Sequence, residues 1–283
     1  MFREIGKVGR IGISQTFREP RLYLAWCLWG LSVGPQMNSL REVSAAARYA
    51  VHPYVLPFFF QNIFMVVLMA MGAQMVFCDV PGVTENSYYQ IVRCGRRVWF
   101  WGQMVRMLLV GFLYTAGVAL LPLLYLLGQL EWKAGWGKIL GSLAQMSVVG
   151  GVESHFRASY RIIASFSSGE AMVLVCLILY LNVLLIGSLT LFGNILISKS
   201  MGAVLGAAMA FLPYLTIRLS DLNLAYYIAP LAWLDLGLFQ PFMGSGMPTL
   251  PYVFAVLIGG NLLCIMAAYF GIMKKDMVLQ NYH

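Results

Sequence analysis

Thiols, imidazoles and carboxylates are the side chains that ordinarily do chemistry, and in this sequence they are few and scattered. The five cysteines (Cys27, Cys78, Cys94, Cys176 and Cys264) form no CxxC pair. They fall mostly inside or beside apolar runs, where free thiols pack as small hydrophobes. His52, His155 and His283 lie far apart and give no metal-ligand spacing. No H-E-x-x-H, G-x-S-x-G or G-x-x-x-x-G-K-[ST] string occurs, and Gly135-Trp136-Gly137-Lys138 lacks the phosphate-loop spacing. The expectation is a chain with no catalytic residue, no metal ligand and no cofactor-binding residue of its own, hence not an enzyme by itself.

Two other patterns suggest a different kind of work. The amides Gln61, Asn62, Gln74, Asn182, Asn194 and Asn261 interrupt long apolar runs; there an amide more often makes an interhelical hydrogen bond than binds a ligand. Between residues 78 and 100, the string CDVPGVTENSYYQIVRCGRRVWF places Tyr88, Tyr89, Ile91 and Val92 ahead of Arg93, Arg96 and Arg97. Asp79-Val-Pro-Gly is a turn signature, and a short helix from Thr84 to Cys94 would project a mixed aromatic and basic knob. Contact with anionic lipid accounts for the arginines but not for the tyrosines and apolar residues before them.

The elements that must hold these residues are membrane helices. The chain has 283 residues, 60% hydrophobic and 11% charged, with mean hydropathy +0.76, whereas a soluble domain is about 25% charged. Outer-membrane barrels alternate over short segments; here the apolar runs are long and unbroken. About 20 apolar residues cross the ~30 Å hydrocarbon core. Charge gaps place six spans, at 22–39, 57–77, 107–127, 171–197, 201–217 and 252–273, the fourth long enough to tilt. The fold class is thus an all-α membrane protein with six spans, with a cytoplasmic tail at 274–283.

Charge sets the orientation. With the N-terminus cytoplasmic, Arg3, Lys7, Arg10, Arg18, Arg21, Arg93, Arg96, Arg97, Arg106, Lys199, Lys274 and Lys275 lie inside, twelve of the 19 Lys and Arg. The net charge of +8 therefore reads as a positive-inside signal with both termini cytoplasmic. It forms no basic domain for nucleic acid. Nearly every span lacks ionisable residues through its middle, unlike ion-coupled carriers and proton pumps.

Four extramembrane pieces and one packing motif complete the pattern. Residues 1–21 form an amphipathic helix, with Arg3, Lys7, Arg10, Arg18 and Arg21 on one side and Phe2, Ile5, Val8, Ile13 and Phe17 on the other. Gly6, Gly9 and Gly12 on its apolar side weaken it on propensity. This segment is mostly polar or basic, and no A-x-A site follows the first apolar run, so it is not read as a cleavable signal. The 78–100 loop is the second piece. The outer loop 129–170 offers Trp132 and Trp136 to an aromatic belt. Residues 219–251 are apolar but broken by Pro230, Pro241, Pro248 and Pro251, with an isolated Asp235, which fits a re-entrant or outer-leaflet hairpin enclosed by protein. Gly202-x-x-x-Gly206 permits close helix contact, within the chain or between subunits.

The whole layout resembles the type-2 ABC transporter permeases, the membrane subunits of a class of bacterial exporters. The string Glu85-x-x-Tyr88-Tyr89-x-Ile91-x-Arg93-x-Gly95-Arg96-Arg97-x-Trp99-x-x-Gly102-Gln103 is similar to what many such permeases carry on the way into the third span. The resemblance implies that 84–94 is a coupling helix, with Glu85, Tyr88, Tyr89, Ile91, Val92, Arg93, Arg96 and Arg97 meeting a separate P-loop ATPase that binds ATP and Mg. It implies that 1–21 is the connecting helix, represented by Arg3, Lys7, Arg10 and Phe17. It further implies a second permease copy or homologue, a substrate path lined by the first, second and fifth spans, and an outer gate at 219–251 in a bacterial cytoplasmic membrane. The sequence departs from many members at Cys78-Asp79, where they carry Glu. An ATP-independent carrier or channel, or a non-transporting scaffold subunit, is the alternative.

Overall fold

The computed structural model describes residues 2–81, 91–149, 155–198, 200–218, 224–239 and 246–274, and the elements in them are helical apart from one isolated bridge between Val51 and Leu130. In chain order the helices are α1 (Phe2–Arg18), α2 (Arg21–Ala47), α3 (Leu56–Phe59), α4 (Ile63–Phe77) and α5 (Arg96–Tyr125). They are followed by α6 (Gly137–Val149), α7 (Tyr160–Ser165), α8 (Ser168–Leu196), α9 (Met201–Arg218), α10 (Leu224–Ile228) and α11 (Leu250–Lys274). Two short 3-10 turns, Pro230–Leu234 and Leu236–Leu238, lie between α10 and α11.

Three helices, α5, α8 and α11, are long and apolar enough to cross a membrane; α4 and Met201–Tyr214 of α9 are shorter apolar helices. Their outward faces stay apolar. Leu108, Leu109 and Phe112 of α5, Val173 and Leu177 of α8, and Leu262, Leu263 and Phe270 of α11 are all exposed, the arrangement expected where the surrounding solvent is hydrocarbon. α2 has 27 residues, but Pro35, Gln36, Asn38 and the charges Arg41 and Glu42 make it less apolar than those three.

Buried side chains on α4 and α8 lie between the other helices. Trp29 on α2 donates to the Val118 carbonyl of α5 at 3.0 Å, Tyr114 of α5 to Met69 of α4 at 2.7 Å, and Tyr125 to Gly30 at 3.0 Å. Gly72 leaves room for the Tyr114 hydroxyl, which would lie 2.5 Å from an added Cβ. Asn261 of α11 donates to the Leu181 carbonyl of α8, and Ser188 donates back to its Oδ1 at 3.1 Å. Helices in lipid gain little from apolar burial against one another, so small residues and such polar contacts set their register.

The second expected span is not a single helix. Residues 57–77 divide into α3 and α4 with a turn at 60–62, because the Asn62 side chain caps α4 by accepting from Phe64 N at 3.0 Å. Rings hold the break: Trp29 packs on Phe59 and Phe60 at 6.1 and 5.9 Å, and Phe58 packs on Trp136 at 5.3 Å and Phe156 at 5.9 Å. Trp136 therefore turns inward, donating to the Phe166 carbonyl at 3.1 Å, while Trp132 stays exposed. A Ser167–Glu170 capping box starts α8.

Candidate functional site

Gly9 and Gly12 of α1 are contact points, whereas Gly6 is exposed with nothing within 4 Å of an added Cβ. A Cβ on Gly9 would meet Val105 at 3.0 Å, one on Gly12 would meet Arg106 at 2.6 Å, and one on Gly102 would meet Val8 at 2.5 Å. Bare backbone on both helices thus lets α1 lie against the first turns of α5. Arg106 Nε donates to Thr16 Oγ1 at 3.1 Å, and that hydroxyl donates to the Gly12 carbonyl at 3.1 Å. Packing compensates for the low helix propensity expected of these glycines. Phe17, assigned by its position to the apolar side, is 42% exposed, and Arg10 is exposed; the Arg3 and Lys7 side chains lie outside the described residues.

A second set of contacts fixes the chain just before the 82–90 segment. Arg21 at the start of α2 pairs with Asp79 and donates to Cys78 Sγ at 3.1 Å. Burial pushes the Cys78 thiol up, the Asp79 charge adding to it and Arg21 opposing it. The pair is half in solvent, which limits it to about 0–1 kcal/mol. Asn194 near the end of α8 donates to Val80 O at 2.7 Å and Cys78 O at 3.3 Å, and its Oδ1 accepts from Gly202 N at 3.0 Å. One amide therefore joins the turn after α4, the end of α8 and the start of α9.

Gly202 and Gly206 face the interior of the chain. An added Cβ would collide with the Thr190 carbonyl oxygen at Gly202, and with the Gln74 side-chain amide at Gly206. Gln74 Oε1 in turn accepts from the Thr190 hydroxyl at 3.1 Å.

Of the residues expected to meet a partner, Glu85, Tyr88 and Tyr89 lie outside the described residues. Residues 91–94 are helical and Gly95, at φ +81°, turns the chain into α5. The five described residues of the expected knob divide here. Ile91 packs on the protein's own core, whereas Val92 is 87% exposed and Arg93 and Arg97 are exposed. Arg96 is half-buried and engaged within the chain.

At the far end of α4 a cavity of about 790 Å³ opens. Its walls come from the α3–α4 break (Phe58, Phe60, Gln61, Asn62, Ile63), from Gln36 of α2 and Thr216 of α9, and from Tyr226, Ala232, Asp235 and Leu238 of the segment between α9 and α11. His155 and Arg157 of the long loop complete it. The Gln61 Nε2 is buried with no hydrogen-bond partner. Asp235 Oδ1 accepts from Gly237 N at 2.9 Å. Burial pushes the Asp235 carboxyl up, and the Gly237 amide and the Arg161 charge pull it down.

The sequence pattern did not single out this cavity. Gln61 and Asn62 were grouped with the other span amides, yet only Gln74, Asn194 and Asn261 of that group tie helices together, while Asn182 bonds its own helix at Ile178 O. The signal available was an Asn ahead of an apolar run, a helix-start pattern inside an apparent span. Among the described residues no cluster of three metal-ligating side chains occurs, and all five cysteines are free. His52 bonds the Gly135 carbonyl at 2.7 Å. No family model and no curated protein matches this chain.

Proposed function

We propose that this chain is the membrane-spanning permease subunit of an ABC exporter, working with a separate P-loop ATPase and a second permease. The observation that carries the reading is the way α1 and the turn after α4 are tied to the helix bundle. α1 lies on the start of α5 through Gly9, Gly12 and Gly102, and the chain entering the 82–94 segment is held by Asn194 and Arg21. A push received by 82–94 would pass directly into α4, α8 and α9, and one received by α1 into α5. That is what an energy-coupling platform requires, because packed elements transmit displacement as rigid bodies.

In this reading there are six crossings, made by α2, by α3 with α4, and by α5, α8, α9 and α11, with both termini cytoplasmic. α4 alone rises about 22 Å, short of the hydrocarbon core, and α3 makes up the length. Irregular backbone at membrane depth is tolerated where it lines a cavity, and the α3–α4 break does so. ATP closure in the partner would shift the coupling segment, and the cavity end of the bundle would open outward.

The test is tagged purification from the native membrane in mild detergent, with co-purifying proteins identified. A stoichiometric P-loop ATPase is the expected result. A chain that comes out alone after gentle crosslinking sinks the reading. The polar-lined cavity favours, as a second reading, an ATP-independent carrier or channel, which would show flux in liposomes from this chain alone.

A further inference from the structure

We propose that the cavity at the α3–α4 break binds an amphiphile with an anionic headgroup, held by Arg157, Gln61 and Asn62, with its chain laid against Ile63, Ala232 and Leu238. This names the cargo class for the proposed permease, and rests on that reading for transport but not for binding.

The volume, about 790 Å³, lies within the range of small-molecule sites. Its polar lining is rich in donors. Asn62 spends its Oδ1 on Phe64 N, which leaves its NH2 for another acceptor. Gln61 Nε2 is buried without a partner, a state that costs free energy until an acceptor arrives. Arg157, exposed at the cavity, offers up to five N–H groups. Among the described lining residues the one carboxylate is Asp235, which accepts from the Gly237 amide and faces the charge of Arg161. Surplus donors and an exposed guanidinium select an acceptor-rich anion such as phosphate, carboxylate or sulfate.

The remaining wall selects for a chain attached to that anion. Ile63, Ala232 and Leu238 are each partly exposed and give the cavity an apolar face. An inorganic anion would leave that face unused.

The test uses the full chain in phosphatidylcholine nanodiscs with a dodecyl phosphate bearing an alkyl diazirine. After irradiation, adducts are mapped by peptide mass spectrometry. They should concentrate in 58–66 and 226–238 and fall at least fivefold in Arg157→Gln. Asn62→Asp, which keeps the cap but replaces the donor by a charge, should show a similar loss. Unlabelled dodecyl phosphate should compete, and dodecyltrimethylammonium and inorganic phosphate should not. Labelling unchanged in both variants, or competed equally by the cationic amphiphile, overturns the proposal. Equal competition by inorganic phosphate overturns it too, showing an anion site without a chain site. No ATPase is present, so this result and the co-purification result can fail independently.

Discussion

The side chain of Asn194 donates to the carbonyl of Val80 at 2.7 Å, joining the end of α8 to the turn that leaves α4 across 114 residues of sequence. The same amide accepts from Gly202 N, so three elements depend on one residue. Interhelical hydrogen bonds in membranes average about 0.6 kcal/mol, and Asn194→Leu should lower stability by about 1–2 kcal/mol in total. The more specific expectation is faster amide exchange at residues 78–81 and 200–204. An unchanged exchange pattern would show that the turn is held by other contacts.

Gly202 and Gly206 should respond differently to alanine. At Gly206 the added methyl meets the Gln74 side-chain amide, which can move, whereas at Gly202 it meets the Thr190 backbone. Overpacking costs about 1–3 kcal/mol; Gly202→Ala should sit at the upper end and Gly206→Ala at the lower. Combining Gly206→Ala with Gln74→Ala should recover part of the loss in thermal stability, since the two residues are in contact. Equal and additive effects would contradict the contact.

The attachment of α1 is testable at Gly102. A methyl there would lie 2.5 Å from Val8 Cγ1, so Gly102→Leu should displace α1 while leaving α5 helical. Hydrogen exchange over residues 8–16 should rise severalfold, with little change over 107–125. Arg106→Leu, which removes the bond to Thr16, should have the same effect in weaker form.

Under the proposed coupling, Val92→Asp separates binding from folding better than Ile91→Asp. Val92 is 87% exposed and Ile91 packs on the core. An exposed substitution is typically within about 0.5 kcal/mol of neutral, so V92D should keep its melting temperature and lose co-purification with the ATPase. Retention of the partner in V92D would remove this residue from the docking surface.

Asp235 gives a pH dependence of definite sign. Burial, the largest cause, raises its carboxyl above the ordinary 3.8, so the folded state favours the protonated form. The stability from that preference is fully present below the ordinary value and is lost as pH rises through the raised one. Asp235→Asn stays neutral and keeps the oxygen that accepts from Gly237. Between about pH 4 and pH 7 it should therefore lose less melting temperature than the wild type, by about 2 °C or more. Parallel curves would show that the carboxyl is not desolvated.

Composition and periodicity alone determined the class of this protein. Low charge and long apolar runs specify helices long and apolar enough to face lipid, because transfer to hydrocarbon acts on each segment locally. The ends of α8, α9 and α11 lie close to the expected spans for the same reason. What the amides do is not a local property. Gln61, Asn62, Gln74 and Asn194 are the same chemistry in similar apolar surroundings, and only the packed bundle decides that two of them join helices while two line a cavity. Gly9 and Gly12 of α1 are parallel: propensity marks them as weak helix positions, and their use appears only when α5 lies close against them. Likewise the break at 60–62 rests on Trp29, Phe58, Trp136 and Phe156, which are distant in sequence. Burial of charge is a pattern along the chain; contact and cavity depend on which segments the fold brings together.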